Sequence, residues 1–352
     1  MAQKSSAPTI EVVARHAGVS PMTVSRVING ADGVRESTRA RVNEAIAALN
    51  YRPNAAAQRL AGSEQVRLGV LCRQASAVFM SEVFVGLLDQ ASRSHVQLVV
   101  EKCELSDADL ADVRTLISSG IDGMILPPPL CDSPALLELM REMDIPTALI
   151  ASARADGEFH TIGVDDYRAA FEMTRHLIAL GHRRIGFING NPDQSVSAPR
   201  LIGYRAAIAA AELPQDNALV ATGLFSYRSG LDATESLLAL DPRPTAIFAA
   251  NDDMAAAAVA VAHRQGLDVP GDLTVVGFDD TAIATTIWPE LSTIHQPVAE
   301  MARAAVEALV RQVRARRNGQ PETYAHSQVG FELIRRQSDA PPRVRPPLRV
   351  NP

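Results

Sequence analysis

The 352-residue sequence predicts a small all-α headpiece followed by an α/β core of two doubly wound parallel-sheet lobes. Three observations carry this. Residues 9–50 read as short, capped, amphipathic helices. From Val66 apolar strand-like runs alternate with helical segments, the pattern of βαβ units on a parallel sheet, and the alternation starts a second time at Tyr167. The charge divides with the headpiece: residues 1–64 hold eight Lys/Arg against five Asp/Glu, and the remainder holds 26 against 35. A small basic segment on an acidic body suits a nucleic-acid arm on a soluble domain.

In the headpiece, Thr9 is placed to cap a first helix whose apolar stripe is Val12, Val13 and Ala17. Gly18 stops it, because glycine accepts the left-handed conformation of a helix end. Ser20 then caps a second helix with Pro21 at its first position, where no backbone N–H is required. Val24, Val27 and Ile28 point inward, leaving Met22, Thr23, Ser25, Arg26 and Asn29 outside or nearly so. A short helix with a small, hydrogen-bonding outer face fits the DNA major groove. A third helix follows over residues 34–50, with Val42, Ile46 and Leu49 inward.

The succession AGVSxxTVSRVIN (17–29), TRxRV (38–42) and LNYRPNxxAxxLAG (49–62) resembles the headpiece of the lactose-repressor/galactose-repressor (LacI/GalR) family of bacterial transcription regulators. The resemblance implies a helix-turn-helix headpiece over 1–50, a hinge over 51–64 and DNA contacts at Thr9, Ser20, Pro21, Met22, Thr23, Ser25, Arg26, Asn29, Tyr51, Asn54, Ala57 and Leu60. Asn54 can cap a hinge helix of about two turns, too short to be stable alone in water. In the family this helix enters the minor groove, and Leu60 matches the leucine that wedges a base step there.

In the core, strands are expected at 66–71, 96–102, 123–126, 147–150, 184–188, 246–249 and 273–278. Helices are expected at 81–92, 108–119, 133–143, 167–180, 201–211, 226–240 and 252–265. The resemblance implies a periplasmic-binding-protein-like core over 65–337. Its first lobe would take about 65–163 and 292–320, and its second about 164–291 and 321–337. Residues 338–352, with five prolines and three arginines, are expected to be a disordered tail.

Ligands of open α/β sheets bind beyond the carboxyl ends of the strands, so two such lobes make a cleft. Candidate groups stand there in SVSAPRLIGY (195–204), AANDDMA (249–255) and VVGFDDT (275–281). By match to the family's motifs, Arg200, Asn251 and Asp279 are the polar effector ligands, and Phe225 offers an aromatic ring to a sugar face. Phe79 is a candidate from the first lobe. This set suits a neutral polyol: carboxylate, guanidinium and amide hydrogen-bond hydroxyls, and a ring covers the C–H face. Blander roles stay open: Asn251 as a helix cap, Arg200 in a surface ion pair, and Phe79 and Phe225 as packing residues. Sugar-binding members often carry an aspartate just after the first lobe's fourth strand, where this chain has Ala151.

Other chemistries find no support. GVLCRQA is not GxGxxG, there is no Walker motif, and no nucleophile–base constellation stands out. Cys72, Cys103 and Cys131 lack metal-ligand spacing, so neither a metal nor a cofactor is expected. No apolar run is long enough to span a bilayer, and MAQKSSAPT has no apolar stretch of a secretory signal, so no membrane partner and a cytoplasmic location are expected. The expected protein is not an enzyme. It is a dimeric or tetrameric repressor of carbohydrate-utilisation genes that binds a palindromic operator in double-stranded DNA and is switched by a small sugar or sugar derivative. The alternatives are a co-repressor type responding to a purine, and a solute-binding protein, against which the whole headpiece argues.

Overall fold

The computed structural model describes residues 9–28, 34–49, 65–73, 77–154, 157–321 and 323–343. The chain separates into two compact units that divide at Val66.

The first unit holds α1 (Ile10–Ala17), α2 (Pro21–Ile28) and α3 (Glu36–Ala48) around Val13, Ala14, Ala17, Val24, Val27, Val42 and Ala45. Gly18 ends α1 at φ 65°, and the Ser20 hydroxyl caps α2 by accepting from the Thr23 N–H at 3.2 Å. Two local expectations are corrected. Thr9 sits at the N-cap position in extended conformation, but its side chain makes no cap bond. Val12 is 38% exposed. It stands about 100° around the helix from Val13, at 3.6 residues per turn, and Val13 with Ala17 defines the inward stripe.

The second unit contains two six-stranded sheets. The first has β1 (Arg67–Cys72), β2 (Gln97–Lys102), β3 (Gly123–Leu126), β4 (Thr147–Ile150), β5 (His160–Gly163) and β11 (His326–Gln328), ordered β11-β5-β4-β3-β1-β2 and wholly parallel. The second has β6 (Ile185–Asn189), β7 (Val220–Thr222), β8 (Ala246–Ala249), β9 (Thr274–Asp279), β10 (Ser292–His295) and β12 (Glu332–Ile334), ordered β12-β10-β9-β8-β6-β7, with only β12 antiparallel. The central strands β3, β4, β6, β8 and β9 are buried along their whole length, as sheets covered on both faces require.

Helices α4 (Ala77–Ser94), α5 (Asp107–Ser118) and α6 (Pro134–Glu142) connect the first sheet. Helices α7 (Asp166–Ala179), α8 (Ser197–Ala210), α9 (Tyr227–Leu238), α10 (Asp252–Arg264) and the single turn α11 (Ile283–Thr286) belong with the second. The long α12 (Val298–Arg317) returns to pack on α4, β4 and β5. In each sheet the strand order reverses once, between β1 and β3 and between β6 and β8. The crevice beyond the strand ends at such a reversal is where a ligand fits.

The crossing segments differ from expectation. Ser292–His295 lies in the second lobe, paired with β9 and β12, whereas 326–328 lies in the first, paired with β5. Only α12 makes the expected return. Strands β5 and β7 are not among those expected from the sequence. Residues 338–343 are not a free tail. Ser338 and Asp339 are buried, and Ser338 satisfies backbone groups at the starts of two strands. Its carbonyl takes the Val275 N–H at 3.0 Å and its hydroxyl takes the Ser292 N–H at 2.8 Å. Buried backbone donors must find partners, and here the C-terminal segment supplies them. Asp339 also accepts from His176 at 2.8 Å.

Candidate functional site

In the first unit, α2 presents Pro21, Met22 and Arg26 to solvent, with Met22 70% exposed. Thr23 and Ser25 are half-buried, and the Thr23 hydroxyl is 2.9 Å from that of Ser20. Asn29, Tyr51, Asn54, Ala57 and Leu60, expected to touch DNA, lie outside the described residues.

The second unit has a cavity of about 610 Å³ between its lobes. Phe79, Arg200, Phe225, Asn251 and Asp279 all lie on its wall. Phe79 comes from the first turn of α4 and is largely buried. The other four stand beyond strand ends of the second lobe or in the helices that follow.

Arg200, on the first turn of α8, is buried. Its Nε donates to Asp166 Oδ1 at 2.7 Å and its Nη1 donates to the Ala250 carbonyl at 2.6 Å. The guanidinium lies 3.6 Å from the centroid of the Phe278 ring, and Asp279 Oδ1 is 4.0 Å from Nη1. Asp279 ends β9 at φ 112° and accepts from Gln296 Nε2 at 2.6 Å. Burial raises the pKa of the Asp279 carboxyl well above the usual range although Arg200 opposes this, and burial likewise raises that of Asp166. Behind them Asp252 is buried and pushed up to about 7 by the same cause. Asp252 accepts from the Thr281 N–H at 2.8 Å and the Thr293 hydroxyl at 2.7 Å, tying α10 to the β9 and β10 strand ends. Two guanidinium groups, Arg73 and Arg200, and two carboxyls, Asp253 and Asp279, line the cavity, and Arg200 is already paired with Asp166, so the Arg200 end of the wall suits hydroxyl groups.

Asn251 has a double role. Its Oδ1 caps α10 by accepting from the Met254 N–H at 3.0 Å, while Nδ2 donates to the Phe225 carbonyl at 3.2 Å. Phe225 itself has φ 55°. Ala151, also on the wall, has φ 50°. Strained backbone of this kind costs roughly 1–3 kcal/mol per residue and persists where the surroundings over-determine it. Three of the eight described non-glycine residues with positive φ, Ala151, Phe225 and Asp279, are on the cavity wall.

Phe225 also lies over Gly190, where an added Cβ would come within 1.9 Å of the ring. Gly190→Ala should push the ring into the cleft and weaken a ring-stacked ligand by about twofold to tenfold, from an aromatic contribution of roughly 0.5–1.5 kcal/mol. Titrating wild type, Gly190→Ala and Phe225→Ala with one ligand checks this. Equal affinity in all three would show that the ring touches no ligand.

Across the cleft, Ser195 of the second lobe is held by the first. Its N–H donates to Asp132 Oδ2 at 3.0 Å, and its hydroxyl accepts from the Ala153 N–H at 3.0 Å. Sequence reasoning missed Asp166 and Gln296. Asp166 is 34 residues from the arginine it serves, which leaves no local signal. Gln296 directly follows β10, a position where ligand groups are expected, but the sequence places that strand in the other lobe.

Among the described residues no group of His, Cys, Asp and Glu could hold a metal ion, and no helix is long and apolar enough to cross a membrane.

Two family models match the chain: bacterial regulatory proteins of the lacI family over residues 9–54, and a periplasmic binding protein-like domain over 174–338. Catabolite control protein A of Priestia megaterium is 33% identical over 305 residues, which cover 86% of this chain and 92% of that protein. The ribose operon repressor of Escherichia coli (strain K12) is 34% identical over 306 residues, covering 87% and 93%. Among solved structures, the lac repressor dimer bound to operator and the anti-inducer ONPF superposes with a TM-score of 0.83 at 29% identity, covering 95% of this chain and all of that one. The complex of the transcriptional regulator CelR with cellobiose gives 0.71 at 31% identity, covering 94% and all of that chain.

Proposed function

The chain belongs to the lacI family of bacterial regulatory proteins, and from that premise we propose that it represses carbohydrate-utilisation genes by binding a palindromic operator as a dimer, under control of a small sugar-like effector in the interlobe cleft. It is a DNA-binding transcription regulator and not an enzyme. The chromosome is then its place of work. A two-fold symmetric protein reads a two-fold symmetric site.

The observation that carries the sugar reading is the cavity wall: an aromatic ring beside a buried carboxyl, an amide and a guanidinium already paired with Asp166. Relatives named for ribose and cellobiose support the same class. Ala151 replaces an aspartate frequent in sugar-binding members, so one hydroxyl partner is lacking and the sugar differs from those that need it. The effector acts by preferring one arrangement of the lobes, and the Ser195 contacts with Asp132 and Ala153, which join the two lobes, would respond to a change in it. Thermal shift of the whole protein against sugars, sugar phosphates and purines tests the class, since a ligand of the folded state raises its melting temperature. Stabilisation by purines alone would overturn the sugar reading.

At the DNA, α2 enters the major groove and the hinge around Leu60 the minor groove. Arg26 is exposed and forks well onto a guanine edge. Arg26→Ala is expected to weaken specific binding by about 1–3 kcal/mol per half-site, read as the Kd for an operator duplex by fluorescence anisotropy. An equal loss on specific and random duplexes would instead place Arg26 on a phosphate.

A further inference from the structure

The first turn of α2 has an unusual chemistry for a helix that reads bases. Its two most N-terminal residues, Pro21 and Met22, are both exposed, and neither side chain carries a hydrogen-bond donor or a strong acceptor. Pro21 also has no N–H. The polar groups beside them are occupied: Ser20 Oγ takes the Thr23 N–H, and the two hydroxyls are 2.9 Å apart. Ser25 is half-buried. Arg26, one turn on from Met22, is the exposed long polar side chain of this helix.

A base edge in the major groove offers an apolar side chain one feature, the 5-methyl group of thymine. We propose that Met22, flanked by Pro21, selects thymine by packing on that methyl, while Arg26 supplies the polar readout nearby. The inference rests on the DNA-binding reading above and specifies the base class it recognises. Residues four apart on a helix have Cβ atoms about 5–6 Å apart, and base pairs rise about 3.4 Å. Each half-site therefore carries a thymine methyl within about two base pairs of the guanine read by Arg26.

Selection from a randomised duplex library with the whole protein gives the preferred site. Each thymine of that site is then replaced by deoxyuridine, which removes the methyl and leaves every hydrogen-bonding group. Replacement in one half-site should weaken wild-type binding about fourfold, the worth of one buried methyl, and replacement in both half-sites about 15-fold. In Met22→Gln, which keeps the reach but loses the apolar surface, the same replacement should change affinity less than 1.5-fold. The exposure of Met22 makes the variant safe for folding. The inference is overturned if deoxyuridine at every thymine leaves wild-type affinity unchanged, or if Met22→Gln shows the full methyl dependence. A library from which no duplex is enriched overturns the DNA-binding reading itself, a different result from binding without methyl dependence.

Discussion

Asp279→Ala is expected to leave a folded protein that still binds its operator and no longer answers its effector. Asp279 lies on the cleft wall, and its carboxylate is the acceptor that a hydroxyl-bearing ligand would use. Truncating one partner of a buried, hydrogen-bonded charged contact costs about 2–5 kcal/mol, or roughly 30-fold to several thousandfold in affinity. The fold should survive, because burial already works against this charge. Operator binding should survive because the headpiece is a separate unit. Asp279→Asn is the companion: it keeps the shape and an acceptor for Gln296 but removes the charge. The check is calorimetric titration of the effector identified by thermal shift, beside anisotropy on operator DNA. Wild-type effector affinity in folded Asp279→Ala would exclude this site.

The largest loss of stability is expected from Arg200→Met. The guanidinium is the counter-charge of Asp166 and the nearest cation to Asp279, and all three are buried. Removing one partner of a buried ion pair costs about 3–5 kcal/mol, because the other is left uncompensated. For a unit of this size that lowers the melting midpoint by roughly 6–20 °C.

The pH dependence has a definite sign. The folded-state pKa of each acid is already raised above its unfolded value, and loss of Arg200 raises it further. The folded state then binds more protons than the unfolded one, so stability falls as pH rises through the raised pKa. The deficit of Arg200→Met against wild type should therefore be smaller at pH 5 than at pH 8. Adding Asp166→Asn should recover part of it. A melting midpoint equal to wild type at both pH values would show that the guanidinium does not hold the acids.

Much of this site could be located from the sequence because its groups ride on strand ends. Asn251 follows an apolar run and precedes a helix, and Asp279 closes VVGFD, so both are placed by local pattern. Their partners are not. Asp166 meets Arg200, Gln296 meets Asp279, and Asp132 meets Ser195 across 34, 17 and 63 residues. Thr9 and Val12 fail on a smaller scale. A capping residue need not cap, and an apolar residue adjacent to a helix stripe need not be in it.

The sequence by itself determined the family and the kind of most elements, though not the short strands β5 and β7, since apolar periodicity, caps and the headpiece motifs are all local. Only the tertiary structure decided to which sheet a short strand belongs, as Ser292–His295 and His326–Gln328 show. It also decided that 338–343 closes the second sheet. The reason is physical. Periodicity reports which side of an element is dry, but a backbone N–H or carbonyl pairs equally well with any strand. The choice among edges is made by where the rest of the chain has already left donors unpaired.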